Sequence, residues 1–225
     1  MSDSPNPSWR PKHAVSAPSG DTLTFDPGKM DTRECYKLMI GTIVPRPIAF
    51  VTTINSKEQV NLAPFSFFNG VSSHPPCLSI SVAYQADGSK KDTLRNIDQN
   101  GEFVVNSANR WLIEPLVHSA GNFPYGTNEM QEVGLTPLPS EIVRPPRVRE
   151  ASVQFECRLH SRVAIGPEVA GSSVLVVGEI VRIHINERVY RELGKSYDEF
   201  APIARLGGFD YCELGSRFSL KPPKF

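Results

Sequence analysis

Strand-forming segments are spread along most of the chain, and they do not alternate with helices in a βαβ repeat. Two of them are long, from about Ala151 to Ala164 and from about Ser173 to Ile185, and shorter β-branched or aromatic runs cover Ile48 to Ile54 and Cys77 to Tyr84. Because no Gly-rich turn follows a first strand, this pattern favours an antiparallel sheet over a Rossmann sheet. We therefore predict a mainly β fold with helices, an antiparallel β-barrel.

Helical spacing occurs in short segments between these strands. Asp31 is a typical N-terminal cap, and Gly41 is expected to end the helix that follows it. The segment Asp92 to Asn100, ended by Gly101, and the segment Trp111 to Ser119 are further expected helices. Helices of this length are too few to cover both faces of a parallel sheet.

A hairpin is expected near the first strand. The turn residues Asn55-Ser56 follow Ile54, and extended chain resumes from Val60 to Phe68. Pro64 lies at the centre of that second segment and lacks a backbone N–H. The centre is therefore expected at a sheet edge, a bulge or a loop.

The first 30 residues form a separate region in this interpretation. Five prolines and no apolar period predict an extended arm over residues 1–30, followed by one domain over residues 31–225. The arm is either a tail without regular structure or, because Trp9, Leu23 and Phe25 are apolar, a segment that lies across the domain or a partner subunit.

Composition excludes several classes of protein. Lys+Arg 24 equals Asp+Glu 24, which argues against nucleic-acid partners and against a polybasic membrane surface. No apolar run approaches the ~18 residues of a membrane-spanning helix. The four cysteines are unclustered and the five histidines lie far apart, so we expect reduced thiols, no metal site and a cytoplasmic location.

One possible phosphate site follows the strand that ends at Tyr84. Lys91, Asp92 and Thr93 stand where a helix is expected to begin, and helix N-termini attract anions. Lys91 supplies a positive charge there and Thr93 a hydroxyl donor. The alternative is that Asp92 caps the helix and the lysines are solvated.

The segment Asn61 to Asn69 has an unusual mixture of residues. Three aromatic side chains, one proline and small polar residues lie together, a combination that suits the edge of a planar heterocycle. The alternative is an ordinary aromatic core strand.

Three motifs in order carry a family resemblance. They are Arg46-Pro47-Ile48-Ala49-Phe50-Val51-Thr52-Thr53, the Asn61 to Asn69 segment, and Lys91-Asp92-Thr93-Leu94. With weaker echoes at His118-Ser119-Ala120-Gly121 and Arg205-Leu206-Gly207-Gly208, the chain resembles the flavin reductase-like family over roughly residues 35 to 215. The resemblance implies the FMN-binding split barrel, in the branch that includes flavoredoxin.

The resemblance also implies a set of cofactor-binding residues. Asn61, Ala63, Pro64, Phe65 and Ser66 are expected beside the flavin ring or its ribityl chain, with Thr52 and Thr53 on the adjacent strand and Arg46 just before it. Lys91 and Thr93 are expected at the FMN phosphate, with Asp92 as a helix cap. Arg205 is expected to reach the same phosphate from this subunit or from a second one.

The activity implied by the resemblance is that of an NAD(P)H-dependent flavin reductase. FMN is the expected cofactor and NADH or NADPH the expected co-substrate, in a homodimer that passes electrons to an oxygenase or a redox protein. Because the flavin ring itself carries the electrons, no catalytic side chain is predicted, and His118 is expected to pack on the barrel. The alternatives are an FMN electron carrier similar to flavoredoxin, an FMN-dependent reductase of a small organic substrate, and a barrel without flavin.

Overall fold

The computed structural model describes residues 5–222. Strands and helices follow one another along the chain without a repeat. The strands are β1 Arg46–Pro47, β2 Ala49–Ile54, β3 Val60–Phe65, β4 Phe68–Ser73, β5 Pro76–Ala83, β6 Glu102–Ser107, β7 Pro137–Leu138, β8 Arg147–Val148, β9 Val153–Ile165, β10 Ser173–Ile185, β11 Ile203–Arg205 and β12 Tyr211–Glu213. The helices are α1 Thr32–Thr42, α2 Asp92–Asn100, α3 Ile113–Ser119, α4 Glu129–Glu132 and α5 Glu187–Glu192, with 3₁₀ turns at Pro27–Lys29 and Arg110–Leu112.

Seven strands form the main sheet, in the order β3-β2-β6-β9-β10-β5-β4. Every pair of neighbours is antiparallel. Within residues 5–222 no strand ladder joins the edges β3 and β4, so the barrel is split rather than closed. The expectation of a mainly β, antiparallel split barrel is confirmed.

The two longest strands form an antiparallel hairpin. Residues 166–172 connect β9 to β10, and the register shifts between Val177 and Gly178. A Cβ atom at Gly178 would lie 2.3 Å from Cζ of the buried Phe103 ring. Because that distance is far below van der Waals contact, glycine is required where β10 passes over this ring.

Strand β2 is buried on both faces. Ala49 and Val51 belong to a core that includes Leu94 and Ile97 of α2, whereas the alternate residue Phe50 belongs to a second core with α3 and α4. Side chains alternate across a strand, so one strand supplies both cores. The helices that carry much of the functional site are therefore fixed against opposite faces of β2.

The extended segment expected from Val60 to Phe68 is instead two strands. β3 ends at Phe65, and β4 begins at Phe68 on the far edge of the sheet. Pro64 lies in the edge strand β3, one of the placements expected for it. The change of edge occurs inside an aromatic run, where the residue pattern contains no break.

The helix ends agree only partly with expectation. Asp31 caps α1 as predicted, but the helix continues through Gly41 to Thr42. Gly101 ends α2 with a φ of 68°, as predicted. The N-cap of α2 is Lys91, and no side chain caps this end, so the expectation that Asp92 is the cap was wrong.

The beginning of the described chain is exposed. Residues 5–26 contain no helix or strand, and no residue of α1 is buried. Within residues 5–222, no helix combines the length and apolar character needed to cross a membrane.

Candidate functional site

A cavity of about 630 Å³ opens between the edge strand β3 and the first turn of α2. That volume is within the range of cofactor and small-molecule sites. The loop after β5, the loop after α3 and the start of α4 complete its walls. It brings together six residues of the predicted set, which are Asn61, Ala63, Pro64, Lys91, Asp92 and Thr93.

A buried hydrogen-bond network joins the two walls that the sequence motifs provide. The side-chain amide of Asn61 donates to Thr93 Oγ1 at 3.0 Å and to Thr53 Oγ1 at 3.2 Å. Asn96 donates to the same Thr53 oxygen at 3.0 Å. Thr53 is therefore enclosed below the cavity, while the Thr93 hydroxyl accepts from Asn61 and keeps its own hydrogen for another acceptor.

The first turn of α2 carries an unpaired positive charge. Within residues 5–222 Lys91 forms no ion pair, whereas the adjacent Lys90 lies 2.7 Å from Asp98. Desolvation lowers the pKa of the Lys91 ammonium group. Because the helix lacks a side-chain cap, its first N–H groups and Lys91 are together the kind of donors that suit an anion.

Two carboxyl groups also line the cavity. Burial raises the pKa of Asp92, and Arg95, 3.9 Å away, opposes that shift. Glu129 is only 6% exposed, and its pKa is likewise raised, mainly by burial. Glu129 Oε2 accepts the backbone N–H of Leu62 at 2.9 Å, which fixes α4 to the edge strand.

An arginine and a tyrosine stack at the cavity wall. The guanidinium carbon of Arg95 lies 4.3 Å from the ring centroid of Tyr125. A guanidinium held by a ring face keeps its N–H edge available for other partners. Arg95, Tyr125 and Glu129 were not selected from the sequence, because nothing in the local pattern brings residues 95, 125 and 129 together.

The remaining predicted residues do not line the cavity. Arg46 donates to the carbonyl oxygens of Ile40, Ile43 and Leu206 at 2.6, 2.6 and 2.8 Å, and to Ser66 Oγ at 3.3 Å. Three of these bonds hold the guanidinium to the C-terminal end of α1 and to the chain after β11, and the fourth holds it to the residue after β3. The flavin contacts predicted for Arg46 and Ser66 stay predictions.

Thr52, Thr53 and Phe65 are buried in the fold. The Thr52 hydroxyl donates to the carbonyl of Pro146 at 2.5 Å, and Phe65 belongs to the core around α2. Arg205 pairs with Arg46 across β1 and β11, and its guanidinium stacks on Tyr211 and donates to that hydroxyl. Their predicted contacts with a flavin stay predictions too.

Only part of the weaker motif match at residues 118–121 lies at the cavity. Ser119, Ala120 and Gly121 line the cavity, but His118 is exposed and contacts Phe123 at the edge of α3. The expectation that His118 packs on the barrel was wrong. Away from the cavity, His184 Nε2 lies 2.7 Å from Oε1 of the buried Glu156.

Comparison with known proteins decides the family. The family model described as "Flavin reductase like domain" matches residues 40–203. The chain belongs to this flavin reductase-like family.

Solved structures of the flavin reductase-like fold agree with this assignment. Nitrilotriacetate monooxygenase component B from Bacillus cereus is 37% identical, with a TM-score of 0.84, over 90% of this chain and 100% of that one. The 2-nitrobenzoate 2-nitroreductase NbaA from Pseudomonas fluorescens is 32% identical, with a TM-score of 0.78, over 90% and 98%. A putative flavin reductase with a split barrel domain from Shewanella frigidimarina is 18% identical, with a TM-score of 0.74, over 90% and 100%, a likeness of fold.

Membership of the flavin reductase-like family indicates a flavin-binding oxidoreductase, and the cavity suits such a group. The α2 wall offers uncapped helix N–H groups, a hydroxyl and a lysine that forms no ion pair among the described residues, the donor set that a phosphate needs. The β3 wall offers Ala63 and Pro64, small or rigid side chains that leave room for a flat ring. The residues present therefore fit a flavin nucleotide.

Proposed function

We propose that the chain is an NAD(P)H-dependent flavin reductase that binds FMN in the cavity between β3 and α2. The observation that carries this proposal is the position of Lys91 at an uncapped helix N-terminus, on the same cavity wall as Thr93 and with no ion pair to any residue in the range 5–222. Such a site favours a doubly charged phosphate monoester over a neutral group. FMN ends in a phosphate of that kind.

The ring would lie along β3, with Asn61, Ala63 and Pro64 against it. When bound, FMN supplies the capacity to accept hydride from a nicotinamide. The protein's part is to hold the phosphate, to orient the ring and to exclude water from its buried edge. Asn61 contributes orientation, because its amide is fixed by Thr53 and Thr93.

A homodimer is part of the proposal. Tyr36, Leu38 and Met39 on α1 are exposed although apolar, and β4 is exposed beyond its first residue. Exposed apolar side chains of this kind are typical of a surface that a second subunit covers. Light scattering on the purified protein measures the oligomeric state.

The reduced flavin would serve an oxygenase or a redox protein in the cytoplasm, and nucleic acid and membranes are not expected partners. The name of the Bacillus cereus relative, a monooxygenase component B, supports a partner of the oxygenase class.

The division into an arm over residues 1–30 and a domain over residues 31–225 is kept as part of the proposal, although residues 1–4 and 223–225 lie outside the described range.

The test is an absorbance spectrum of the purified protein followed by anaerobic titration with NADH and with NADPH. We expect bound or readily added FMN to be reduced by one of the two. No reduction by either nucleotide at saturating FMN would contradict the reductase proposal. Rapid reduction by a redox protein alone would favour the electron carrier.

The likeness to NbaA favours a second candidate function. That relative is named as a 2-nitrobenzoate 2-nitroreductase and is 32% identical over 90% of this chain. In this alternative FMN stays bound and a small aromatic substrate enters the same cavity beside Arg95 and Tyr125. Consumption of a nitroaromatic acid with stoichiometric NAD(P)H oxidation, and no release of FMN, would distinguish it from the first proposal.

A further inference from the structure

Glu129 is a buried carboxyl group on the wall of the cavity that the flavin proposal uses. It is the first residue of α4, is 6% exposed, and lines the cavity with Asn61 and Thr93. A carboxyl group in that position faces any ligand that fills the cavity. The sequence contains no local feature that marks it.

The hydrogen bonds of Glu129 leave one of its oxygens without a partner from elsewhere in the described chain. Oε2 accepts the Leu62 N–H at 2.9 Å, and the only other donor is its own backbone N–H. No ion pair involves Glu129 within residues 5–222. An ionised carboxylate buried without a cation is unfavourable, so burial shifts the balance of this group towards its neutral acid form.

The surroundings of Glu129 raise the pKa of its carboxyl group. Burial raises this pKa most, the hydrogen bonds from the backbone N–H groups of Leu62 and of Glu129 itself lower it, and the negative charge of Asp92 on α2 raises it again. β3, which packs on α4, carries no titratable side chain, and α3 carries Glu114 and His118, both exposed. Lys91 and Arg95 are the cations that share the cavity, and neither forms an ion pair with Glu129.

Resting on the flavin site proposed above, we propose that Glu129 is the proton acceptor of the cavity, binding a proton at Oε1 when negative charge is added to the bound flavin. Hydride transfer takes two electrons and one hydrogen nucleus from the nicotinamide, and the nicotinamide leaves in its oxidised form. The cavity gains one negative charge. A proton from water converts the Glu129 carboxylate to the neutral acid. The total charge inside the cavity is then unchanged.

This role makes the affinity for reduced flavin depend on pH. Because reduction is coupled to uptake of one extra proton, the affinity for reduced FMN falls relative to the affinity for oxidised FMN as pH rises. The ratio of the two affinities changes by at most about tenfold per pH unit. The effect is confined to the pH range in which Glu129 is ionised with oxidised FMN and neutral with reduced FMN. Below that range Glu129 is neutral in both states and contributes nothing.

The experiment measures dissociation constants of oxidised and anaerobically reduced FMN against pH for the wild-type protein, Glu129→Gln and Glu132→Gln. The glutamine at 129 keeps an oxygen for the Leu62 N–H but cannot take up a proton. Glu132 lies on the same helix and is exposed, so it is the matched control. We expect the ratio of the two constants to change less steeply with pH in Glu129→Gln and to match wild type in Glu132→Gln.

The outcomes separate this inference from the proposal on which it rests. Absence of FMN binding to the wild-type protein overturns both. FMN binding with the same pH dependence in wild type and Glu129→Gln overturns the role of Glu129 alone. If Glu129→Gln does not fold, proton uptake by the wild-type complex on anaerobic two-electron photoreduction decides, measured at a pH at which free reduced FMN is an anion. Free FMN then takes up one proton; uptake of more than one by the complex supports the role, and uptake of one overturns it.

Discussion

The amide nitrogen of Asn61 lies 3.0 Å from Thr93 Oγ1, so a single hydrogen bond joins the edge strand β3 to the first turn of α2. These residues belong to two motifs that are 32 positions apart in the chain. The bond holds the ring end and the phosphate end of the proposed flavin site at a fixed spacing. Any ligand that spans the cavity contacts both sides of this link.

Replacing Lys91 by alanine is expected to weaken the binding of FMN by about ten- to a hundredfold. The binding of riboflavin is expected to weaken far less. A charge-assisted hydrogen bond to phosphate contributes about 1.5–3 kcal/mol, and riboflavin has no phosphate. Titration of flavin fluorescence measures both constants. Lys90→Ala is the control, because Lys90 already pairs with Asp98. Equal losses of FMN and riboflavin in Lys91→Ala would contradict the assignment.

The Thr93 hydroxyl is expected to matter separately from the bulk of its side chain. Thr93→Val removes the acceptor for Asn61 and the donor for phosphate, so we expect about tenfold weaker FMN binding and about 1 kcal/mol less stability. Thr93→Ser keeps the hydroxyl and is expected to bind FMN nearly as wild type does. Isothermal titration gives the affinity and urea unfolding the stability. Similar FMN affinities in the valine and serine variants would remove Thr93 from the site.

Arg46 is expected to stabilise the fold more than it contributes to flavin affinity. Its guanidinium holds three carbonyl oxygens and Ser66, and lysine cannot reproduce that planar fork. We expect Arg46→Lys to lower the free energy of unfolding by about 1–3 kcal/mol. FMN affinity, measured well below the melting temperature, is expected to change little. A large loss of FMN affinity at unchanged stability would instead restore Arg46 to the binding site, as the resemblance implied.

Stability of the flavin-free protein is expected to depend on pH through Glu129. Its pKa in the folded state is raised above the value of about 4.3 in an unfolded chain. The folded protein therefore binds the proton more tightly, and that contribution to stability is complete below about 4.3 and lost as pH rises through the folded pKa. Relative to Glu129→Gln, wild type is expected to lose stability over this window in urea unfolding. A constant difference between the two proteins across the window would contradict the raised pKa.

The sheet was predictable where the residue pattern is strong. The β-branched and aromatic run from Cys77 to Tyr84 and the two long segments after Ala151 and Ser173 indicated strands that the structure contains. β4 was missed, because the bend at Ser66 and Phe67 that takes the chain to the other edge lies inside the aromatic run. Gly41 did not end α1, since a glycine in a helix costs only about 1 kcal/mol and Ile43 still bonds back to Met39.

Half of the predicted site residues line the cavity, and the others are excluded from it by long-range contacts. Arg46 is held by Leu206, 160 residues away, and Thr52 by Pro146, 94 residues away. Glu129 was missed for the same reason, since its burial depends on Leu62, 67 residues away. Motifs indicate which segments lie close together in the fold. The orientation of each side chain depends on contacts with residues distant in the sequence, which a local pattern does not predict.

The bond from Leu62 to Glu129 has a consequence for backbone dynamics. An N–H on the outer side of an edge strand normally exchanges its hydrogen with water through small local openings. Here the outward N–H of Leu62 is satisfied by a buried side chain, so exchange requires α4 to separate from β3. A ligand that bridges these elements would slow that separation, and deuterium uptake at this amide would report occupancy of the cavity without any measurement of turnover.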